Sequence, residues 1–380
     1  MNALARPGDP SLIRIKMKPT TPPRPSRLPR LRRKLAAVAL LALQAATAPV
    51  RADAPADGQL IAGVRRGFQP PHVAELVDVA SGERRPLPLG HHTRGEPDMW
   101  SASRASAHVL LRADDVGDVD FFDSRTLAPL PGGFALEAMP GTHQPEFLST
   151  PRLSPDGQFV LAWWLRNASN WAPQLTIFDR QGRVVRQVLE PSEKNRGLAG
   201  AAAWSPNRPG RFVLVDDDGI NVCQLGTERC LFAPSRLPNH QGVRGTQIAV
   251  SPDGLHLAIV LGQFWPDSSG QRRSHSVLFT SRLDGSELRQ LTFPSKALQA
   301  SGTDDSPTNI QWSPDGRWIA FNARGKNPYA APRYYDSCDP IRVVGLQGPM
   351  QEVGAAYPPH GLLMAGDKPV TICSTMQWFD

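Results

Sequence analysis

The sequence predicts an all-β protein, a β-propeller of six four-stranded blades, with seven blades as the alternative. Three observations support this fold: a Ser-Pro-Asp-Gly turn recurs along the chain, an apolar strand follows each copy, and a second hairpin follows that strand. The 380 residues include 38 prolines and 32 glycines, which favour turns over long helices. A hydrophobic content of 40% supplies enough apolar residues for a large core.

The recurring turn, here called the cassette, has four good copies. Their serines, which lie 51, 46 and 62 residues apart, are Ser154, Ser205, Ser251 and Ser313. Proline fixes φ at the first corner, aspartate can accept hydrogen bonds from its own backbone, and glycine adopts the left-handed conformation that ends the turn. The cassette therefore predicts a hairpin, and the spacing suits one blade per repeat. The strands that follow are almost continuously apolar, as expected where neighbouring blades cover both faces.

Outer hairpins indicate the number of blades. The six predicted outer hairpins are Ala74 to Leu89, Val119 to Leu130, Leu175 to Leu189, Ile220 to Phe232, Val277 to Leu291 and Ile341 to Val353. Blades one and two lack a full cassette. Gln59 to Val64 opens blade one, and in blade two Trp100-Ser-Ala-Ser103 with the strand His108 to Leu111 is similar to a degraded copy whose serine is Ser101. We expect the tail, Gly361 to Phe379, to return to blade one and close the ring with a strand.

The first 52 residues have the layout of a signal peptide with an extended basic, proline-rich leader. Arg32-Arg33-Lys34 precedes the apolar run Leu35 to Ala48, which is short for a membrane span, and small residues follow. We expect cleavage after Ala52, leaving residues 53–380 as a single propeller domain without a membrane span, periplasmic or secreted. The alternatives are an uncleaved anchor, a twin-arginine signal at Arg32-Arg33, and a true start at Met17.

The leader also accounts for the basic character of the chain. The formal net charge is +7, but residues 1–52 hold eleven Lys and Arg and one acid. The mature chain therefore has 31 basic and 34 acidic residues, a net charge of −3. Because nucleic-acid binding needs a basic footprint on the folded domain, no nucleic-acid partner is expected.

All four cysteines lie in the exported part, where disulfides form. A hairpin turning at Gly226-Thr227 would place Cys223 opposite Cys230. We predict the bonds Cys223–Cys230 and Cys338–Cys373, the second of which would staple the closing segment to blade six. A zinc site is the alternative, but the spacing C-x6-C matches no zinc motif and no histidine follows at the required interval.

The Ser-Pro-Asp-Gly cassette followed by an apolar strand, at this spacing, resembles the WD40-like repeat of the TolB propeller. The resemblance covers roughly residues 100–330 well and implies a fold more than a function. TolB carries an α/β domain ahead of a six-bladed propeller, whereas strands begin here almost directly after the leader. The chain therefore resembles a TolB-type propeller without that domain.

Candidate binding residues are few. Asp304 and Asp305 precede a strand leading to the channel and could line one of its mouths. An aromatic platform for a sugar or peptide could be formed by Trp163, Trp164, Trp171, Tyr334 and Tyr335. Trp163 and Trp164 lie in an apolar strand, so core packing is expected for at least one of them.

Other motifs are expected to be structural. Asp216-Asp-Asp-Gly219 carries the oxygen ligands that calcium prefers, but it lacks alternate spacing and sits where a turn is required. Trp204 and Trp312 hold equivalent repeat positions and should be structural. His91 and His92 are adjacent and would face opposite ways on a strand. No metal site, catalytic residue or cofactor is predicted.

The predicted function is binding. A Gly-x-Ser-x-Gly elbow and a separate α/β half are missing from the sequence, which argues against a serine hydrolase. We expect an exported, non-catalytic propeller that binds a protein, peptide or glycan through rim loops or the channel mouth. The alternative is a propeller enzyme, a polysaccharide lyase or glycoside hydrolase, whose acid and base converge in the central channel. Ligand identity, host process and oligomeric state are not predicted.

Overall fold

A computed structural model describes most of residues 53–380, largely as β-strand. The described residues are 55, 57–65, 72–88, 99–104, 107–114, 117–137, 145–166, 172–198, 200–216, 219–227, 230–234, 247–266, 270, 272–295, 307–323, 339–353, 361–365, 368–372 and 376–379. They all belong to the unit Asp53–Asp380. A short 3₁₀ helix spans Glu193–Gly197. Among these residues no helix combines the length and the apolar character that a membrane crossing requires.

The strands are numbered in chain order and grouped by blade. Blades one to three contain β1 (Gln59–Arg65), β2 (His72–Asp78), β3 (Arg84–Pro86); β4 (Met99–Ala102), β5 (Val109–Ala113), β6 (Asp118–Asp123), β7 (Phe134–Ala135); β8 (Glu146–Phe147), β9 (Arg152–Leu153), β10 (Phe159–Leu165), β11 (Gln174–Asp179) and β12 (Val184–Leu189). Blades four and five contain β13 (Ala202–Trp204), β14 (Arg211–Val215), β15 (Gly219–Gln224), β16 (Leu231–Pro234); β17 (Ile248–Val250), β18 (His256–Pro266), β19 (Arg272–Arg282), β20 (Arg289–Gln290) and β21 (Thr292–Pro294). Blade six and the tail contain β22 (Pro307–Trp312), β23 (Trp318–Ala323), β24 (Asp339–Pro340), β25 (Arg342–Gly345), β26 (Gln351–Val353), β27 (Met364–Ala365), β28 (Lys368–Pro369), β29 (Thr371–Ile372) and β30 (Met376–Phe379).

Six antiparallel sheets form a closed ring of six blades, which confirms the predicted fold. Within a sheet the strands follow chain order outward, as in β4-β5-β6-β7 and β13-β14-β15-β16. The innermost strands contact one another in a cycle that runs through β30, β4, β9, β13, β17 and β22 and back to β30. A cycle of this kind leaves no open edge along the axis.

Apolar residues pack between the blades rather than in one central core. Six clusters of buried side chains are present among the described residues, and each joins two neighbouring blades. Strand β10 shows why: Val160 and Trp164 pack toward blade two, whereas Leu161 and Trp163 pack toward blade four. Since side chains alternate across a strand, a strand covered on both faces must be apolar at every position.

The cassettes close their hairpins as the sequence predicts. In blade six, Gly316 has φ of +70° and its amide donates to the Ser313 carbonyl at 2.9 Å. The Ser313 hydroxyl oxygen accepts from the Trp318 amide at 3.0 Å, and its proton goes to the carboxylate of Asp315. In blade three the Ser154 hydroxyl oxygen likewise accepts from the Phe159 amide at 2.9 Å. In blades three, five and six the cassette serine therefore fixes the first residue of the strand that follows.

In blade two the serine of the degraded cassette is Ser103, so the assignment of Ser101 is wrong. The Ser103 amide donates to the Val109 carbonyl and its hydroxyl oxygen accepts from the Val109 amide, both at 2.9 Å. Ser154, Ser251 and Ser313 make the same two contacts in blades three, five and six. Ser101 lies two residues earlier, and its hydroxyl oxygen accepts from the Leu153 amide of blade three at 3.0 Å. The sequence does not show which of the two serines belongs to the cassette, because neither is followed by a proline.

The tail closes the ring, as predicted. Strand β30 pairs antiparallel with β1, with Phe379 opposite Gln59 and Met376 opposite Ala62. Blade one therefore takes its innermost strand, β30, from the end of the chain and its other three, β1 to β3, from residues 59–86. Trp378 reinforces the closure, because its indole donates to the Asp57 carbonyl at 3.1 Å.

Blade six differs from the prediction in its outer part. β25 pairs with β23 as expected, but β26 pairs in parallel with β21 of blade five, so Ile341 to Val353 is not a regular hairpin. The tail runs beside β24 and β25 instead: the Ile341 amide donates to the Val370 carbonyl and the Val343 amide to the Gly361 carbonyl, each at 2.8 Å. The returning segment thus takes the outer position before it reaches blade one.

The predicted disulfide Cys223–Cys230 is confirmed. Val222 pairs with Leu231 in the ladder between β15 and β16, so the next residues, Cys223 and Cys230, lie opposite each other with Cα atoms 4.2 Å apart. Cys338 and Cys373 lie outside the described residues, and the bond between them stays a prediction.

Candidate binding site in the axial channel

A cavity of about 130 Å³ lies on the propeller axis, at the end where the cassette turns are. All six innermost strands contribute to its wall. Its lining includes the residue two positions before each cassette serine and the matching residue of blade one. We call this set the axial ring: Ser101, Arg152, Ala203, Ala249, Gln311 and Gln377. Gln377 belongs to the set because it precedes Trp378 as Gln311 precedes Trp312.

The mouth of the cavity is built by the cassette turns themselves. Prolines from four cassettes line it, namely Pro155, Pro206, Pro252 and Pro314. In blade two Arg104 takes the place of the proline, and its amide donates to the Pro155 carbonyl of blade three at 3.1 Å. The mouth is therefore a rigid apolar rim that carries one guanidinium group.

Buried tryptophans tie the innermost strands to one another around the cavity. The Trp204 indole donates to the Arg152 carbonyl at 2.8 Å, and the Trp312 indole donates to the Ala249 carbonyl at 3.0 Å. Both carbonyls belong to the axial ring of the preceding blade. The prediction that Trp204 and Trp312 are structural is confirmed, since their exposed fractions are 6% and 5%.

Arg152 is the charged member of the axial ring. The residue is half-buried and lines the cavity. Desolvation by the surrounding protein lowers its pKa to about 10, which leaves the guanidinium charged at neutral pH. No hydrogen bond or ion pair joins this guanidinium to another residue in the described part of the chain.

The cassette carboxylates are held within their turns. Burial would raise the pKa of Asp253, but hydrogen bonds from Ser251 and the Leu255 amide, with the charge of nearby His256, lower it below its ordinary value. Asp315 behaves alike: burial raises its pKa, and the contacts to Ser313 and Arg317 outweigh that effect. Among the described residues that line the cavity none is Asp or Glu, so its wall is positively charged.

The predicted binding residues belong to segments that the structure does not describe, so their role stays a prediction. Asp304, Asp305, Trp171, Tyr334 and Tyr335 lie outside the described residues, as do His91 and His92. Trp163 and Trp164 are both core residues, 3% and 8% exposed, on opposite faces of β10.

The turn role predicted for the acidic run holds for its first residue. Asp216 accepts from the Gly219 amide at 2.9 Å and from the Asn221 side-chain amide at 2.8 Å. In the described part of the chain no cluster of His, Cys, Asp and Glu has the arrangement of a metal site.

Sequence reasoning missed Arg152, although the repeats contain a signal for it. Aligned on their serines, the four cassettes have Arg152, Ala203, Ala249 and Gln311 at the same position. One charge at a position that is otherwise small or neutral marks a departure from the repeat. The departure becomes informative once the structure shows that this position lines the axial cavity.

Comparison with known proteins gives no family for the chain. No family model matches it and no curated protein matches it. Solved structures similar to it include two proteins provisionally assigned as 6-phosphogluconolactonases. The one from Bacteroides fragilis has 13% identity and a TM-score of 0.40, covering 86% of this chain and 98% of its own. The one from Bacteroides uniformis has 14% identity and a TM-score of 0.40, covering 84% and 98%. At these values the likeness carries no argument about activity.

Proposed function

We propose that this chain is an exported, non-catalytic β-propeller that binds a segment of a protein or peptide partner in the axial cavity at the cassette end. The observation that carries the proposal is the axial ring, in which one residue from every blade converges on a single cavity. Convergent polar groups in a largely apolar, preformed depression are typical of binding sites.

The size of the cavity favours part of a large ligand over a whole small one. Pockets for small molecules commonly enclose about 300 to 1,000 Å³. The axial cavity has about 130 Å³, room for one side chain or a chain end. The rest of such a partner would lie across the rim that the cassette prolines form.

The wall chemistry favours a peptide over a glycan. Glycan sites commonly offer an exposed aromatic face, but Trp204, Trp312 and Trp378 are each at most 6% exposed and pack between blades. The half-buried amides of Gln311 and Gln377 offer donors and acceptors suited to a peptide group.

Site-specific photo-crosslinking in the native host tests the proposal. Benzoylphenylalanine replaces Gln311, which lines the cavity, or Gln158, an exposed residue of the blade-three turn that does not line it. We expect a cross-linked protein from position 311 that is absent from position 158. Equal cross-linking from both positions, or a glycan as the only bound species, would count against the proposal.

A further inference from the structure

Arg152 carries a charge that the described structure does not balance. The residue lines the cavity and is half-buried, and the surrounding protein removes part of its hydration. Its guanidinium makes no hydrogen bond or ion pair with a described residue. A desolvated charge without a partner destabilises a folded protein. Such groups are found where a ligand supplies the missing partner.

The equivalent positions show that the fold does not need an arginine there. Ala203 and Ala249 occupy the axial ring in blades four and five, and Gln311 occupies it in blade six. The backbone contact at this position, in which the Trp204 indole binds the Arg152 carbonyl, does not depend on the side chain. The blade therefore does not require the Arg152 guanidinium, which is available to bind a ligand in the cavity.

We propose that Arg152 binds a carboxylate group of the ligand that enters the axial cavity. The planar guanidinium matches a carboxylate with two parallel hydrogen bonds, and one desolvated positive charge is balanced by a monoanion. Arg104 at the mouth adds attraction for an anion. The carboxylates of Asp253 and Asp315 do not compete, because neither residue lines the cavity and Asp315 is paired with Arg317. The inference rests on the proposed function for the identity of the partner, and the site itself is testable without it.

Small anions test the site directly. The purified chain is titrated with sodium propionate, with propionamide, and with inorganic phosphate at constant ionic strength. Binding is followed by tryptophan fluorescence, because Trp204 and Trp312 line the cavity. We expect saturable binding of propionate, at least tenfold weaker binding of propionamide, and no tighter binding of phosphate. Propionamide binding as tightly as propionate would overturn the proposal, and tighter phosphate binding would overturn the carboxylate assignment.

Variants separate a binding role from a structural one. In Arg152→Gln we expect propionate binding at least tenfold weaker and an unchanged or higher Tm, because an unbalanced charge is removed. Arg152→Lys keeps the positive charge but loses the planar guanidinium, and it should bind propionate with intermediate strength. Arg208→Gln, at an exposed arginine outside the cavity, should bind as the parent does. A lower Tm with unchanged binding in Arg152→Gln would show a structural role. Propionate binding without the cross-link at position 311 would leave the site intact and reject the proposed partner.

Discussion

The indole nitrogen of Trp204 donates a hydrogen bond of 2.8 Å to the carbonyl oxygen of Arg152, one blade earlier in the ring. Trp312 makes the same contact with Ala249, 3.0 Å long. The ring is therefore held by contacts that recur with the sequence repeat, and the cavity-lining residue is held through its backbone carbonyl. Its side chain remains variable, which is how one position can be alanine, glutamine or arginine.

We predict that Trp204→Phe lowers the free energy of unfolding more than Trp163→Phe does. Both indoles are buried, but the Trp163 nitrogen has no hydrogen-bond partner among the described residues. Loss of the bond to Arg152 should cost about 1 to 2 kcal/mol beyond the cost of the smaller ring. Urea denaturation of the two variants measures the difference. Equal losses would mean that the inter-blade hydrogen bond adds nothing to stability.

The fold could be predicted because a few adjacent residues of the cassette determine each hairpin. Proline, aspartate and glycine dictate a hairpin from a few adjacent residues, as the contacts of Ser313 with Trp318 show. The pairing of β26 with β21 depends on where the returning tail lies, which neighbouring residues do not encode. Arg152 lines a cavity only because the whole ring closes around it, and adjacent residues do not encode that closure. Sequence therefore predicted the blades well and the axial site poorly.

Asp315 should be replaceable by asparagine but not by alanine. Its carboxylate accepts from the Ser313 hydroxyl and from the Arg317 amide, the second at 3.0 Å. Asn207 fills this position in blade four and accepts from the Ser205 hydroxyl at 3.1 Å. We expect Asp315→Ala to lower the free energy of unfolding by about 1 kcal/mol or more, and Asp315→Asn by less than half as much. If urea denaturation shows equal losses of unfolding free energy in the two variants, the negative charge of Asp315 stabilises the turn and the side-chain hydrogen bonds do not.

Stability should fall at acid pH through the cassette aspartates. The pKa of Asp253 and that of Asp315 are lowered in the folded state, where hydrogen bonds from the cassette outweigh the effect of burial. A lowered folded-state pKa gives a stabilisation that is complete above the ordinary aspartate pKa and is lost as the pH falls through the folded value. We expect the free energy of unfolding to decline below about pH 5. In Asp315→Asn the decline should be shallower, and an identical pH profile would exclude this group as a contributor.

The bond between Cys338 and Cys373 should form in the folded protein under oxidising conditions. Asp339 pairs with Ile372 in the antiparallel ladder between β24 and β29, so one further step of pairing would set the two cysteines opposite each other. Peptide mapping under non-reducing conditions should recover this link beside Cys223–Cys230. The double variant with serine at 338 and 373 should lose about 3 kcal/mol of unfolding free energy, because the bond closes a long loop that holds the tail on blade six. Free thiols at both positions in the oxidised protein would refute the pairing.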